Sequence, residues 1–273
     1  MISCPNENLI SIIMPAYNAD RYISDSIESV QVQTFSNWEL LIINDCSTDN
    51  TKNLIEDFAK TDSRIRCIHL SHNSGGPAKP RNIGIKYSIG SWVAFIDADD
   101  IWLKEKLEIQ VKKLKHLNIS LLCSNITDFK KTSKANSPFN LIPNTYKSFP
   151  ISYFRLLFKN IIPTSSVICK KKSILEVGGF NEDKNLIAVE DYDLWLRLLN
   201  HNFKIYKICI PLVNYRLSYQ GISRNKFVMF KKILSLLINR IKKDNPSLAI
   251  LFPFCIAYYI ISSLLRIFFN KKL

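Results

Sequence analysis

No Cys-x-x-Cys pair occurs in the chain: its seven cysteines lie apart at 4, 46, 67, 123, 169, 209 and 255. An odd, scattered set of this kind excludes a zinc cage and a disulfide framework, and reduced thiols in a reducing compartment are the simple account. The four histidines, His69, His72, His116 and His201, show no metal-ligand spacing and read as surface or packing residues. A secretion signal is missing as well, because residues 1–8 are polar and the apolar run 9–14 stops at Pro15. The catalytic part is therefore expected in the cytoplasm. Pro15-Ala16-Tyr17-Asn18-Ala19-Asp20 has neither the glycines nor the basic residues of the phosphate loop that a nucleotidyltransferase would place after its first strand. No internal repeat is visible.

At 273 residues the chain holds one large domain, or one domain with an appendage. Its net charge of +14 predicts attraction to polyanions: nucleic acid, an acidic membrane surface or phosphorylated substrates. The distribution of charge narrows the choice. Arg224, Lys226, Lys231, Lys232, Arg240, Lys242 and Lys243 share one stretch with no acid before Asp244. Within it, residues 227, 230, 234, 237, 238 and 241 are apolar at helical spacing, which makes a basic amphipathic helix. The following segment, 248–265, is apolar apart from Ser262 and Ser263, contains Pro253, and has basic residues on both flanks. It is marginal in length for a membrane span and lacks the charge asymmetry of one, so these C-terminal helices are expected to associate with the cytoplasmic leaflet. Packing on the domain, or on a second subunit in a homodimer, is the alternative. Nucleic acid is not expected, because the basic stretch is paired with aliphatic residues and offers no stacking platform.

Upstream, apolar runs at 9–14, 39–43, 65–70 and 92–96 alternate with helical patterns at 21–33, 51–60 and 81–88. Such alternation predicts an α/β fold with a mostly parallel central sheet and helices on both faces. Each run ends in polar residues: Pro15-Ala16-Tyr17-Asn18, Asn44-Asp45-Cys46-Ser47-Thr48-Asp49, His72-Asn73-Ser74-Gly75-Gly76 and Asp97-Ala98-Asp99-Asp100. Four strand ends of this kind make one crevice. Beyond them come a helix at 104–117, a strand near 121–124, an irregular connection at 128–150 over the site, and a run at 168–175 entering a Gly178-Gly179-Phe180 turn. A helix at 190–198 then opens with acids, as the helix dipole favours.

Asp97-Ala98-Asp99-Asp100 carries the strongest chemical signal. Crowded carboxylates repel one another unless a cation sits among them, and hard oxygen donors suit Mn²⁺ or Mg²⁺. A solvated acidic turn capping a helix at Ile101 is the plainer alternative.

The ordered set Ser11 to Asn18, Asn44 to Asp49, Asn73 to Gly84 with its Arg81-Asn82, Phe95 to Trp102, Gly178-Gly179-Phe180 and Glu190 to Arg197 resembles the family 2 glycosyltransferases of the GT-A fold. The likeness is to bacterial enzymes that build surface polysaccharides such as O antigen, capsule and lipopolysaccharide. It implies a catalytic domain over 1–224, with a nucleotide-sugar half at 1–103 and an acceptor half at 104–224, and the basic helix and apolar tail at 225–273. It also implies that Pro15, Tyr17, Asn18 and Asp45 hold the nucleotide, Asp45 by accepting the uracil N3–H, which makes a UDP-sugar the expected donor. Arg81 would contact the nucleotide, Asp97 and Ala98 would lie at the nucleotide-sugar, and Asp99 would bind Mn²⁺ or Mg²⁺. Asp191 matches the general base of an inverting displacement, with Glu190 as the alternative. Asp45 as a turn cap and Arg81 as a surface cation are the bland readings. Trp102 either stacks on a sugar or packs in the core, and Asp193 caps its helix or pairs with Arg197. The later metal ligand common in the family has no histidine counterpart at 214–223. Arg216 or Arg224 is placed to assist the leaving group.

The expected function is transfer of a sugar from a nucleotide-diphosphate donor to a lipid-linked glycan acceptor. The protein would sit on the cytoplasmic face of the inner membrane, peripheral or monotopic. A membrane-attached glycan-binding or scaffold protein derived from such an enzyme is the alternative, and the joint presence of Asp45, Asp97, Asp99 and Asp191 argues against it.

Overall fold

A computed structural model describes residues 6–116, 118–129, 146–217 and 226–244, and the single positions 250, 253, 254 and 257. Most of the apolar segment 248–265, most of the connection 128–150, the positions 218–223 and Arg224 lie outside the described residues.

The first half of the chain alternates as its hydrophobic pattern predicts: β1 (Asn6–Ala16), α1 (Ile23–Gln31), β2 (Trp38–Asn44), α2 (Thr51–Thr61), β3 (Ile65–His69), α3 (Ala78–Tyr87) and β4 (Gly90–Phe95). There follow β5 (Ile101–Trp102), α4 (Lys106–His116), β6 (Leu121–Phe129), β7 (Ser148–Ile151), α5 (Tyr153–Phe158), β8 (Ile168–Lys170), α6 (Lys171–Glu176), α7 (Glu190–Asn200), β9 (Ile205–Arg216) and α8 (Lys226–Asp244). The strand order is β3-β2-β1-β4-β8-β6-β9-β5, with β7 beside β9. The sheet is parallel from β3 to β4 and mixed beyond, since β8 runs antiparallel to both β4 and β6 while β9 is parallel to β6.

Every residue of β2 is buried, as expected of a parallel strand covered on both faces. Alternation along β1 divides the core in two. Ile13 joins Leu41, Ile43 and Phe95 on the face covered by α3, α6 and α7. Ile12, Met14, Leu40 and Ile42 face α1, α2 and α4. Helix α3 lies close to the sheet because Gly84 has no side chain: a Cβ there would stand 2.5 Å from Ile13 Cγ2. Pro80 falls in the first turn of α3, where its missing N–H removes no helical bond.

The segments at 101 and 124 differ from the sequence pattern, and the open reading of Trp102 is decided. Ile101 begins a two-residue strand, not a helix, because it pairs with Asn214 on β9. Trp102 is core: it is 2 % exposed, its Nε1 donates to Ser165 O at 2.8 Å, and Lys106 Nζ lies 3.8 Å from the ring centroid. Strand β6 extends past 124 to Phe129, since β9 supplies a parallel partner along its length.

The amphipathic helix at 227–241 is present as α8, and its apolar stripe is docked on the domain. Leu236, Leu237 and Ile241 are buried, and Leu236 and Leu237 join the core beside α7. Arg240 Nε lies 3.1 Å from Asp193 Oδ1, Tyr153 donates to Asp244 Oδ2 at 3.0 Å, and Lys232 donates to Ile187 O at 2.7 Å. Lys242 and Lys243 stay exposed. Among the described residues no helix is long and apolar enough to cross a membrane.

Gly84→Ala overpacks the contact between α3 and β1, and chemical denaturation should show a loss of about 1–3 kcal/mol. A variant as stable as the wild type would mean that α3 can shift outward without cost.

Candidate active site

The strand order reverses between β1 and β4, and the crevice outside the carboxyl ends of β1, β2 and β4 is where a sheet of this topology receives a ligand. Three loops are tied together there. Asn18, at φ 48°, accepts from Thr48 N at 2.8 Å and donates its own N–H to Ser47 Oγ at 3.0 Å. Asp49 Oδ2 accepts from Asp20 N at 3.1 Å. Asp45 is buried, its Oδ1 taking the Ser74 N–H at 2.9 Å and its Oδ2 the Ser74 hydroxyl at 2.7 Å. Each of these oxygens keeps a second lone pair for a ligand donor. Tyr17 stands 51 % exposed at the rim and Pro15 is half-buried beneath it.

Arg81 projects from the first turns of α3 between two acidic elements. It is 4 % exposed, donating from Nη2 to Asp97 Oδ1 and from Nη1 to Glu190 Oε1, each at 2.7 Å. Burial alone would weaken its hold on the proton, but the carboxylates of Asp97 and Glu190 outweigh that and keep it a cation. The plain surface-cation reading of Arg81 is thereby excluded. Phe180 lies under the guanidinium, 5.3 Å from ring centroid to Cζ, and packs edge-on against Phe95 and Trp195. The Gly178-Gly179-Phe180 turn that supplies this ring needs glycine at two left-handed positions, φ 86° and 72°. Asn82 grips the turn by exchanging two 2.8 Å bonds with the Phe180 backbone, and Arg197 donates to Gly179 O at 2.6 Å and to Asp193 Oδ2 at 2.8 Å.

The acidic loop is held from below. Asp97 N donates to Ser165 Oγ at 3.1 Å, and the largely buried Asp100 accepts from Arg216 N at 3.0 Å. Arg216 also donates to Asp99 O at 2.8 Å and to Asp25 Oδ2 at 3.1 Å, stacked between Tyr22 and Phe129, so it braces this loop. Ala98 is buried between the two acids. Burial and the charge of Asp97 raise the Asp99 carboxyl to about 6. Burial and both neighbouring carboxylates raise Asp100 well above its ordinary value. Asp100 Oδ2, Glu190 Oε2 and Arg81 Nε are buried with no hydrogen-bond partner.

Asp191 sits at the start of α7, reached through Ala188 at φ 73°. Its Oδ2 accepts from Thr164 Oγ1 at 2.7 Å and its Oδ1 from Tyr192 N at 2.6 Å. Burial, reinforced by the Glu190 charge, raises its carboxyl to about 6. Burial here outweighs the helix dipole that an N-terminal acid would feel. A small open cavity lies beside Glu190, lined by Ser74, Gly76, Lys79, Lys184 and Ile187 among others.

Among the described residues no three acids, histidines or cysteines converge into a metal cage. The donor set fits a cation that arrives with its ligand. Asp97 Oδ1 is taken by Arg81 and Asp100 is fully buried, which leaves Asp99, raised by burial and then by Asp97, as the carboxylate that would hold it; Mg²⁺-like ions take one or two carboxylates while phosphates and water complete the shell.

The structure thus brings Arg81, Asp97, Glu190 and Asp191 into one cluster, and places Asn18 and Asp45 on the neighbouring loops. Thr164 and Ser165 had no signal in the sequence.

The family model for glycosyl transferase family 2 matches residues 11–178. The chain belongs to glycosyltransferase family 2. It is 36% identical over 228 residues to the UDP-Glc:alpha-D-GlcNAc-diphosphoundecaprenol beta-1,3-glucosyltransferase WfgD of Escherichia coli, covering 83% of this chain and 84% of that one. It is 33% identical to the putative teichuronic acid biosynthesis glycosyltransferase TuaG of Bacillus subtilis, covering 82% of this chain and 85% of the relative. Among solved structures, S. aureus TarS 1-349 in complex with UDP-GlcNAc superposes with a TM-score of 0.67 at 20% identity, over 86% of this chain and 67% of that one. The mannosyltransferase PcManGT of Pyrobaculum calidifontis, in complex with GDP-Man and Mn²⁺, gives 0.66 at 15% identity, over 97% and 76%. The GT-A fold is therefore shared, and this family 2 glycosyltransferase is related to enzymes of bacterial surface-polysaccharide synthesis.

In this glycosyltransferase, Arg81→Met leaves Asp97 and Glu190 facing each other without their cation. Breaking a buried pair of this kind costs about 3–5 kcal/mol, which urea denaturation at neutral pH should register. A loss below about 1 kcal/mol would show the two acids to be solvated without Arg81.

Proposed function

We propose that this family 2 glycosyltransferase is an inverting enzyme that moves a sugar from a UDP-sugar to a diphosphate-linked lipid glycan. The observation that carries the reading is the cluster at the strand ends: Asp97, Glu190 and Asp191 gathered about Arg81, with Asp99 at its edge. WfgD, similar over most of both chains, acts by its name on a UDP-glucose donor and a GlcNAc-diphosphate lipid.

In this reading Asp45 accepts the uracil N3–H through its free lone pairs, beside Pro15, Tyr17 and Asn18. Arg81, Asp97 and Ala98 line the ribose and diphosphate. Asp99 would hold Mn²⁺ or Mg²⁺, which when bound would supply positive charge to offset that of the diphosphate. The donor sugar occupies the cavity beside Glu190, where Gly76 and Ile187 form the wall. Asp191 accepts the proton of the acceptor hydroxyl while that oxygen forms its bond to the anomeric carbon. The bond from that carbon to the diphosphate breaks on the opposite face, UDP carries away the electron pair, and the configuration inverts. A carboxyl raised to about 6 remains ionised at neutral pH and is a stronger base than an ordinary aspartate. Glu190 is tied to Arg81 and is the weaker candidate for that role.

The exposed Lys242 and Lys243 of α8, with the net charge of +14, support attachment to the anionic cytoplasmic face of the membrane, where a lipid-linked acceptor resides. Attachment through these lysines is electrostatic. Binding of the full chain to vesicles of phosphatidylglycerol should weaken steeply with salt, whereas binding unchanged in 0.5 M salt, read with about a 3–8 Å screening length, would point to apolar insertion instead.

Asp191→Asn should lower transfer from UDP-glucose to a GlcNAc-diphosphate lipid by about 10²–10⁴-fold while UDP binding persists. In the wild type, kcat/KM should fall below pH of about 6, because protonation removes the base. UDP-glucose with Mn²⁺ should raise the melting temperature of wild type and Asp191→Asn, and not of Asp99→Asn. Normal turnover by Asp191→Asn, or a nucleotide shift indifferent to Asp99, would overturn the assignment concerned.

A further inference from the structure

The turn Thr164–Ser166 presents three consecutive hydroxyls, all buried, and each is spent in a different direction. Thr164 Oγ1 donates to Asp191 Oδ2 at 2.7 Å. Ser165 Oγ accepts from Asp97 N at 3.1 Å, and Ser165 O accepts from Trp102 Nε1 at 2.8 Å. Ser166 Oγ donates to Pro163 O at 2.8 Å and accepts from Ser124 N at 3.2 Å, while Ser166 O accepts from Gln110 Nε2 at 2.8 Å. The last two bonds root the turn in β6 and α4. One rigid turn therefore touches both chemical parts of the site: the loop that carries Asp99 and the carboxyl of Asp191.

We propose that Thr164 is a positioning residue for Asp191, its hydroxyl fixing the carboxylate plane and favouring the ionised form, and that the Thr164–Ser166 turn sets the base and the acidic loop in one frame. The proposal rests on Asp191 as the group that takes the acceptor's proton.

The geometry assigns the lone pairs. Thr164 takes one on Oδ2 and the Tyr192 amide one on Oδ1, which leaves one outward lone pair on each oxygen for the incoming hydroxyl. A rotated carboxylate would aim these elsewhere. The other charged groups facing Asp191 are Glu190 on its own helix and Arg81 from α3, the latter neutralised by Glu190 and Asp97. Of these opposing influences, only the Thr164 bond is removed by an uncharged, isosteric change. Thr164→Val retains the shape and deletes the donor.

The test follows the Asp191 carboxyl in protein labelled with ¹³C-aspartate, its signal assigned by its disappearance in Asp191→Asn. Thr164→Val should move the titration midpoint upward by about one pH unit, the size that loss of one charge-assisted hydrogen bond implies. Thr164→Ser should return it to the wild-type value, and Thr164→Ala is a second hydroxyl-free variant if the valine protein does not fold. The acid limb of kcat/KM, measured with UDP-glucose and a GlcNAc-diphosphate lipid, should move with the midpoint. An unmoved midpoint in folded, UDP-binding Thr164→Val overturns the proposal even if Asp191→Asn is inactive. Wild-type turnover by Asp191→Asn overturns the base assignment itself, and this proposal with it, wherever the midpoint lies.

Discussion

A buried cation between two carboxylates organises this molecule. Arg81 comes from α3, Asp97 from the end of β4 and Glu190 from the start of α7, elements distant in sequence that meet through its guanidinium. Neither Arg81 nor Glu190 would be tolerated as a charge alone there, since removing an ion from water without a partner costs several kcal/mol. Together they fix where α7 begins relative to the sheet. The position of Asp191 follows from that, because it is the next residue along the helix.

Packing elsewhere serves the same placement. Gly84 lets α3 settle against β1, which sets how far Arg81 reaches over the strand ends. Phe180 fills the space under the guanidinium and links it through Phe95 and Trp195 to the core of both the sheet and α7. The unsatisfied Arg81 Nε, Glu190 Oε2 and Asp100 Oδ2 are the complement of this rigidity. Buried polar atoms without partners are costly, and the close packing around Arg81 is what keeps them in place.

The parallel half of the fold was legible because each strand is an apolar run closed by polar residues, and the register of β1, β2 and β4 puts those closures side by side. Asp45, Arg81, Asp97, Asp99 and Asp191 were named through the resemblance of their motifs to the family. Thr164 was not, as it meets Asp191 across 27 residues through a turn with no periodicity. Strand β5 was hidden by its length, two residues whose only signal is a partner on β9. Helix α8 was visible as an amphipathic pattern, but the same stripe suits lipid or protein, and only the docked Leu236, Leu237 and Arg240 distinguish them. The raised Asp191 carboxyl was missed for a related reason: helix position is written in the sequence, and burial is not.

The seat of α8 also sets an order of assembly. Asp193, on the helix that opens with Glu190 and Asp191, is buried with Arg197 as its local counter-ion, and its second cation, Arg240, belongs to the last long helix described. As the chain emerges from the ribosome, the sheet and α7 are present before residue 240 has been made. Until then the Asp193 oxygen facing α8, and the core patch that Leu236 and Leu237 will cover, remain open to water. A nascent chain that lacks α8 thus holds an α7 whose α8-facing side is still wet.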